Sequence, residues 1–449
     1  MLVFIIPQVA TPANITILKK GVIIKINPFL AGFNYTWTMN DFINVELKEL
    51  IKKSYNNSEY YKSKFDELNI NLDKINTTDD FASLPVLTRE LLANNFEMIL
   101  DTQYRHIKRN MLEQIQTSGS TGKIMEVLWK REELVKSNVY LWRKRQEWYG
   151  INTKSRKCEF VTSTIAGKSK YFNRNDAINE SDNILSLSTI YFGDDILEEY
   201  YNRIKVFKPE WIYAPVSVLL KFVYFLKHNC YPKFKTLKYV ELYGEQVTNA
   251  ALNYLKDYFD IEIAIMYGCK EINGIALTCP NNTMHILEKN VYVECDENDD
   301  AIVTSRTNTI FPLIRYKLGD KIKLSSCKCE CGTKGAIIKK IIGREADLSF
   351  VDASTGITVN SLLNSVFVVN SILDYPFIQY KIERNKHFFQ IYLYVKNEFL
   401  NWKDTIVNEF YKCFDSYGIP QNIVQIIFCD MPIQFDSKTS KLKLFEGEK

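Results

Sequence analysis

The 449-residue chain contains no apolar run near the roughly 18–20 residues that a membrane span requires. Its start, Met1 to Pro7, is apolar but short, and no basic stretch precedes it, which argues against a secretory signal. Charge of one sign is scarce too. With 57 Lys and Arg against 53 Asp and Glu, the formal net charge is +4, too small to argue for nucleic acid or an anionic membrane as partner. Histidine is rare, with four in all, and His106, His228 and His387 have no partners at ligand spacing. No internal repeat or low-complexity tract occurs. The ten cysteines do not make a disulfide scaffold in a chain of this length. They read as reduced cytosolic thiols, some able to bind metal, and the expected location is cytoplasmic.

What remains is the composition of a globular protein, 46% hydrophobic and 24% charged, long enough for two to three domains. The first 40 or so residues read as an edge strand or arm. Residues 41–75 carry Val45, Leu47, Leu50, Ile51 and Tyr55 at helical spacing, interrupted by Asn56-Asn57-Ser58 and resumed by Tyr60, Tyr61, Phe65 and Leu68. Thr77 to Asp80 offers caps, and Thr88 is a plausible N-cap for Arg89 onward. Glu126 to Trp129 reads as a strand and 131–149 as a helix ending near Gly150. Helices are expected at 194–208 and 215–228, separated by Pro209 to Tyr213. A strand over 237–243, a helix over 248–259 and a strand over 261–266 follow. This alternation predicts an α/β architecture. Composition shifts near Gly343 to Asp347. Beyond it come a hairpin (377–383 and 388–395), a helix (398–415) and a strand (422–428), a small α/β unit. The boundary falls at 343–348.

Gln116-Thr117-Ser118-Gly119-Ser120-Thr121-Gly122-Lys123 is the densest chemical stretch. Glycines let backbone N–H groups approach an anion, and hydroxyls add donors, a composition that suits a polyphosphate. The spacing is not that of a P-loop, and taken alone the stretch could equally be a flexible polar loop. Tyr267-Gly268-Cys269-Lys270-Glu271 puts a carboxylate just after a strand end, where α/β folds place ligands. A plain strand-to-helix turn with an acid favouring the helix dipole is the simpler alternative. Arg315-Tyr316-Lys317-Leu318-Gly319-Asp320 ends in a turn whose aspartate could accept both ribose hydroxyls, or could be a surface salt-bridge turn.

The ordered set Thr-Ser-Gly-Ser-Thr-Gly, Tyr-Gly-Glu, Tyr-Gly-x-x-Glu, Arg-Tyr-x-x-Gly-Asp and Gly-Arg resembles the adenylate-forming superfamily of acyl-CoA synthetases and adenylation domains. More narrowly it is similar to the phenylacetate–CoA ligase branch with its CapK-like relatives. Tyr60-Tyr61, Leu84 to Arg89, and Phe207 through Ser217 resemble further segments of that branch, so the likeness runs from about residue 50 to the C-terminus.

The resemblance implies a large N-terminal α/β domain (1–342), a hinge (343–347) at Asp347, and a small mobile C-terminal α/β domain (348–449). It implies ATP-dependent activation of a carboxylic acid as acyl-adenylate, with release of pyrophosphate and transfer to CoA. Thr117, Ser118, Gly119, Ser120, Thr121 and Gly122 would bind the β- and γ-phosphates, and Thr121 is counted among the catalytic groups. Tyr243, Gly244 and Glu245 match the segment along the adenine, with Tyr267 and Gly268 also on the nucleotide. Glu271 would hold Mg²⁺, a hard ion that prefers oxygen ligands. Asp320 would bind the ribose and Arg344 would add a ribose or phosphate contact. Lys441, in Thr439-Ser440-Lys441, matches the C-terminal catalytic lysine, although the usual glycine is absent and Lys438 and Lys443 are near. Lys123-Ile124 departs from the x-Pro of many relatives. Gly356 to Asn360 resembles the loop that approaches the acceptor thiol.

Cys279 and His285 precede Cys327-Lys328-Cys329-Glu330-Cys331-Gly332 by about 40 residues. Thiolates with an imidazole suit tetrahedral zinc, though unrelated reduced thiols are the alternative. Some members of the ligase branch carry a structural zinc on a Cys…His pair and a Cys-x-Cys-Gly turn. That likeness selects Cys279, His285, Cys329 and Cys331, with Cys327 as substitute. Zinc would then tie the segment after Glu271 to the segment after Asp320. The acceptor could instead be a carrier-protein thiol, an amine or a sugar in capsule or secondary-metabolite biosynthesis. A non-catalytic zinc-containing scaffold is a third reading. Zinc-ribbon nucleic-acid binding is the least favoured, because acidic and apolar residues interrupt the nearby lysines. Nothing in the sequence encodes association, and a homodimer is the default.

Overall fold

Polar caps begin the N-terminal helices of the protein, seen here in a computed structural model. It describes residues 45–108, 111–117, 125–161, 177–188, 194–245, 247, 249–326, 329–344, 362, 365–366, 369–370, 373, 376–385, 388–417, 419–431 and 445–446. The expected arm over the first 40 residues lies outside them. Helix α1 (Val45–Asn57) gives way to α2 (Glu59–Glu67) at Ser58, whose side chain accepts from the Tyr61 amide. The polar interruption in the sequence is therefore a cap between two helices. Thr77 opens α3 (Thr78–Ala82) with a reciprocal capping box to Asp80, and Thr88 caps α4 (Arg89–Asn94), followed by α5 (Phe96–Ile99).

Strands β1 (Glu113–Thr117) and β2 (Met125–Trp129) pair antiparallel, with Thr117 opposite Met125. Helix α6 (Arg131–Tyr149) stops at Gly150, which takes φ +67° and donates its amide to the Gln146 carbonyl at 3.1 Å.

Twelve strands form the main sheet. From one edge they run β4 (Ile178–Glu180), β5 (Ile184–Ser188), β3 (Lys157–Val161), β6 (Trp211–Pro215), β7 (Tyr239–Tyr243) and β8 (Glu262–Cys269). The order continues with β9 (Asn273–Thr278), β10 (Met284–Ile286), β14 (Ala336–Arg344), β13 (Tyr316–Ser326), β12 (Asp300–Ser305) and β11 (Val291–Cys295). The run β5–β3–β6–β7–β8 is parallel, with α7 (Asp194–Phe207), α8 (Val216–His228) and α9 (Asn249–Phe259) among its connections. These helices bury Leu197, Phe222 and Leu255 with Phe160, Ile212 and Val240 of the sheet. The opposite face packs Trp211, Tyr213, Tyr239 and Tyr243 in one core with Trp129 and Leu141.

Leu87 adds a rung to β13: its amide donates to the Arg315 carbonyl and the Lys317 amide donates to its carbonyl, both at 3.0 Å. The Leu84–Thr88 motif thus docks on the strand that carries Asp320. The four-stranded sheet β17 (Val424–Cys429), β16 (Phe388–Val395), β15 (Phe377–Asn385), β18 (Phe445–Glu446) carries α10 (Lys403–Tyr417) and has its own core of Ile391, Leu393, Phe410 and Phe414.

Two features differ from the sequence reading. Trp211–Tyr213 is not a spacer: it forms most of β6, every residue of which is buried. Strands buried on both faces lack the alternation that marks a half-exposed strand. Residues 273–344 add six antiparallel strands, β9 to β14, which the sequence reading did not assign.

Candidate active site and metal centre

The β8–β9 hairpin builds one half of the candidate active site. A bulge separates Tyr267 and Gly268 in its register. A Cβ on Gly268 would stand 2.2 Å from the Asn273 carbonyl oxygen, so only glycine lets the two strands approach this closely. The turn delivers Glu271 to a buried position, 3% exposed, with its Oε2 meeting no protein hydrogen-bond partner. Burial first and then the Glu271 charge push the pKa of the Tyr316 phenol well above the usual value, so it stays protonated. The Cys269 thiol is likewise pushed up, chiefly by burial and then by the Glu271 charge.

The other half comes from β13 and β14, where Asp320 stands directly opposite Arg344. Three strands lie between β8 and β13 in the sheet order, yet the Tyr267 hydroxyl reaches across to donate to Asp320 Oδ2 at 2.8 Å. Sheet curvature therefore brings the two carboxylate-bearing segments together. Arg315, in the same segment as Asp320, is used structurally. It donates to the carbonyls of Ala82 and Leu84 and pairs with Glu294 at 3.3 Å.

At the end of β7, Tyr243 pairs with Met266 of β8, which sets Gly244 beside Tyr267. Gly244 turns the chain with φ +73°. The Tyr243 ring is committed to packing. It stacks on Tyr213 at 4.0 Å and its hydroxyl donates to the Phe160 carbonyl at 2.8 Å. The turn at Gly244 and the half-buried Glu245 are what this segment presents at the strand end. Beneath it, Glu241 is fully buried and receives Arg145 at 2.8 and 2.5 Å, with the Tyr239 hydroxyl also donating at 2.8 Å.

Ser118, Gly119, Ser120, Thr121, Gly122, Cys327, Asp347, Gly356 to Asn360 and Lys441 lie outside the described residues. Thr117 and Arg344 are described through their backbone only, as the last residues of β1 and β14. The sequence reading placed Tyr267 on the nucleotide but not its bond to Asp320. Both residues sit inside the quoted motifs, but a pattern in one dimension does not say which side chains will meet.

A second cluster joins the far ends of the same strands. Cys279 follows β9 in a tight turn closed by its own amide to the Thr283 carbonyl at 2.9 Å. His285 lies on β10, and Cys329 and Cys331 occupy the β13–β14 connection, where the Gly332 amide donates to the Cys329 carbonyl at 3.0 Å. The four ligand atoms all lie within 4.8 Å of one another. Cys279 Sγ and Cys329 Sγ are 3.7 Å apart, and Cys331 Sγ is 3.3 Å from His285 Nε2. Two sulfurs held tetrahedrally at ~2.3 Å from zinc stand about 3.8 Å apart, so the spacing fits that metal. Burial pushes the Cys279 thiol up to about 12, and burial with the Lys144 charge brings His285 down to about 4. Helix α6 abuts the cluster: Trp148 lies 5.5 Å from His285, the Tyr149 hydroxyl donates to the Thr278 carbonyl, and Lys144 Nζ donates to Thr333 Oγ1 at 3.3 Å.

With this geometry, the molecule has the mixed α/β fold of the adenylate-forming enzymes. It overlays 2-hydroxyisobutyryl-CoA ligase in the postadenylation state with 2-HIB-AMP at a TM-score of 0.69 and 12% identity, covering 93% of this chain and 94% of that one. The same ligase with R3-HIB-AMP also gives 0.69 at 12% identity, covering 90% and 88%. Its complex with 2-HIB-AMP and CoA gives 0.57 at 13% identity, covering 90% and 88%. Among curated proteins, the chain is 24% identical over 364 residues to Protein CapK of Staphylococcus aureus, spanning 79% of this chain and 77% of that protein. No family model matches it.

Proposed function

We propose that the protein is an AMP-forming acid ligase that activates a carboxylic acid with ATP and passes the acyl group to CoA. The observation that carries this reading is Glu271, a buried carboxylate with one oxygen left unpartnered, in the turn after Tyr267, whose hydroxyl donates to Asp320. A buried anion without a full set of partners is costly, and a cation would offset that cost. Glu271 would hold Mg²⁺, whose charge would neutralise the triphosphate. Asp320 would accept from the ribose hydroxyls, with Arg344 and the Gly244–Glu245 turn also on the nucleotide. Residues 117–122 would grip the β- and γ-phosphates. A carboxylate oxygen of the acid attacks the α-phosphorus, the bond to the β-phosphate oxygen breaks, and pyrophosphate leaves. Lys441 would stabilise that transition state. The thiol of CoA then attacks the acyl carbonyl and AMP leaves. The unit from residue 348 would turn about 343–347 between the two steps. Cys279, His285, Cys329 and Cys331 would hold a structural zinc.

ATP–pyrophosphate exchange across a panel of carboxylic acids, with and without CoA, tests this. Acid-dependent exchange with CoA consumption is the expected result. Exchange without CoA consumption assigns the acyl group to a carrier-protein thiol, an amine or a sugar, and no exchange with any acid overturns the ligase reading in favour of the scaffold.

A further inference from the structure

Glu271 sits in a tight turn that helix α6 grips from one side. The Ile272 amide closes the turn by donating to the Cys269 carbonyl at 3.2 Å. The chain then leaves through Asn273 with φ +74°, in the left-handed region. Glycine adopts that region most easily, and asparagine more easily than most other residues. Asn273 is 3% exposed, and its Nδ2 donates to Ser137 Oγ of α6 at 2.6 Å. We propose that Asn273, tethered to Ser137, is a positioning residue that fixes the turn and so sets where the Glu271 carboxylate stands in the nucleotide site. The assignment rests on the reading that Glu271 takes the metal ion.

The physical case starts from the carboxylate. Oε2 of Glu271 has no protein partner, so no bond at that oxygen fixes its position. Its place then depends on the backbone of the turn, two residues from Asn273. A left-handed residue at the exit could be glycine, which would need no buried partner. Asparagine instead buries an amide, which is costly unless it is satisfied. The amide ends on a helix, and a site held by a rigid element keeps its geometry better than one held by a loop. Ser137 is arranged to receive it. Its hydroxyl donates to the Leu134 carbonyl at 2.7 Å, which leaves the oxygen lone pairs for the amide. Its backbone carbonyl accepts from Asn290 Nδ2 at 2.6 Å, so this turn of the helix is itself held in place. Gly274 lets the helix come close enough for the bond: a Cβ there would stand 3.3 Å from Leu141 Cδ2 of α6.

The test uses the full chain and ATP binding by calorimetry at a series of MgCl₂ concentrations, with 2′-deoxy-ATP for comparison. Ser137→Ala removes the acceptor and keeps the turn. Asn273→Gly keeps the left-handed backbone and removes the donor. Each should raise the MgCl₂ concentration for half-maximal ATP binding about fivefold, what one hydrogen bond is worth. The preference for ATP over 2′-deoxy-ATP at saturating MgCl₂ should stay at wild type, because Asp320, proposed for the ribose, lies on another strand. The double variant should shift the midpoint no further than either single one, since both delete the same bond. Ser137→Ala carries the test if Asn273→Gly does not fold. An unchanged midpoint, equal loss of both readouts, or failure of both variants to fold overturns the positioning role and leaves the ligase reading in place. A wild-type protein that binds ATP independently of MgCl₂ overturns the metal role of Glu271, and one that binds no ATP overturns the ligase reading. The role of Asn273 falls with either.

Discussion

Glu271 and Gly268 sit three residues apart and answer to different forces. Gly268 is fixed by sterics, because a single methyl group would meet the Asn273 carbonyl oxygen at 2.2 Å. Gly268→Ala should therefore cost about 2–4 kcal/mol of stability, read by denaturant unfolding. Glu271 answers to chemistry. The carboxylate is 3% exposed with an unpaired oxygen, so the fold gains little from its charge. Glu271→Gln should leave the thermal midpoint at or above wild type and lower acid-dependent pyrophosphate exchange about a hundredfold. The opposite pattern, lost stability with retained exchange, would make Glu271 a structural residue. Both residues were legible in Tyr267-Gly268-x-x-Glu271. The role of glycine in a close approach, rather than a turn, was not, because the contact is with the far strand of the hairpin.

Among the elements, α6 ties the parallel strands to the cysteine cluster. Its Arg145 meets Glu241 of β7, its last turn packs on His285, and Tyr149 bonds the carbonyl of Thr278, the residue before Cys279. Arg145→Ala would strand a fully buried carboxylate, and a loss of about 3–5 kcal/mol is expected. The double variant Arg145→Met with Glu241→Leu should recover most of it, because it removes both charges. Metal content gives the second test at this scale. Elemental analysis should find one zinc per chain, and stripping it should lower the thermal midpoint by ~5 °C or more. Cys331→Ala or His285→Ala should reproduce that loss, and a zinc-free protein with an unchanged midpoint would argue for plain thiols. Helices α1 to α4 and α6 were readable from caps and spacing. The strands β9 to β14 were not, since short antiparallel strands with mixed burial carry little periodicity.

At the scale of the whole molecule, three separate hydrophobic cores among the described residues divide the work: one under each face of the large sheet and one in the four-stranded unit near the C-terminus. The candidate site lies at the β8–β9 turn and on β13 of the large sheet, so groups proposed to reach it from elsewhere should affect chemistry and not folding. Ser120→Ala with Thr121→Ala should cut pyrophosphate exchange at least tenfold and leave the thermal midpoint near wild type. Lys441→Ala should behave the same way. If either loses its cooperative unfolding transition, those residues belong to the fold instead.

The amino-acid order alone determined the kind of chemistry available: hydroxyls and glycines between β1 and β2, acids at 271 and 320, and thiols spaced for a soft metal. It also determined most helix boundaries, because caps and 3.6-residue spacing are local. Only the tertiary structure decided which groups meet. Twisting and curling of a twelve-stranded sheet brought β8 to β13, set the Tyr267 hydroxyl on Asp320, and closed Cys279, His285, Cys329 and Cys331 to within 4.8 Å. Those contacts depend on accumulated twist over many strands, a property that no short stretch of sequence contains.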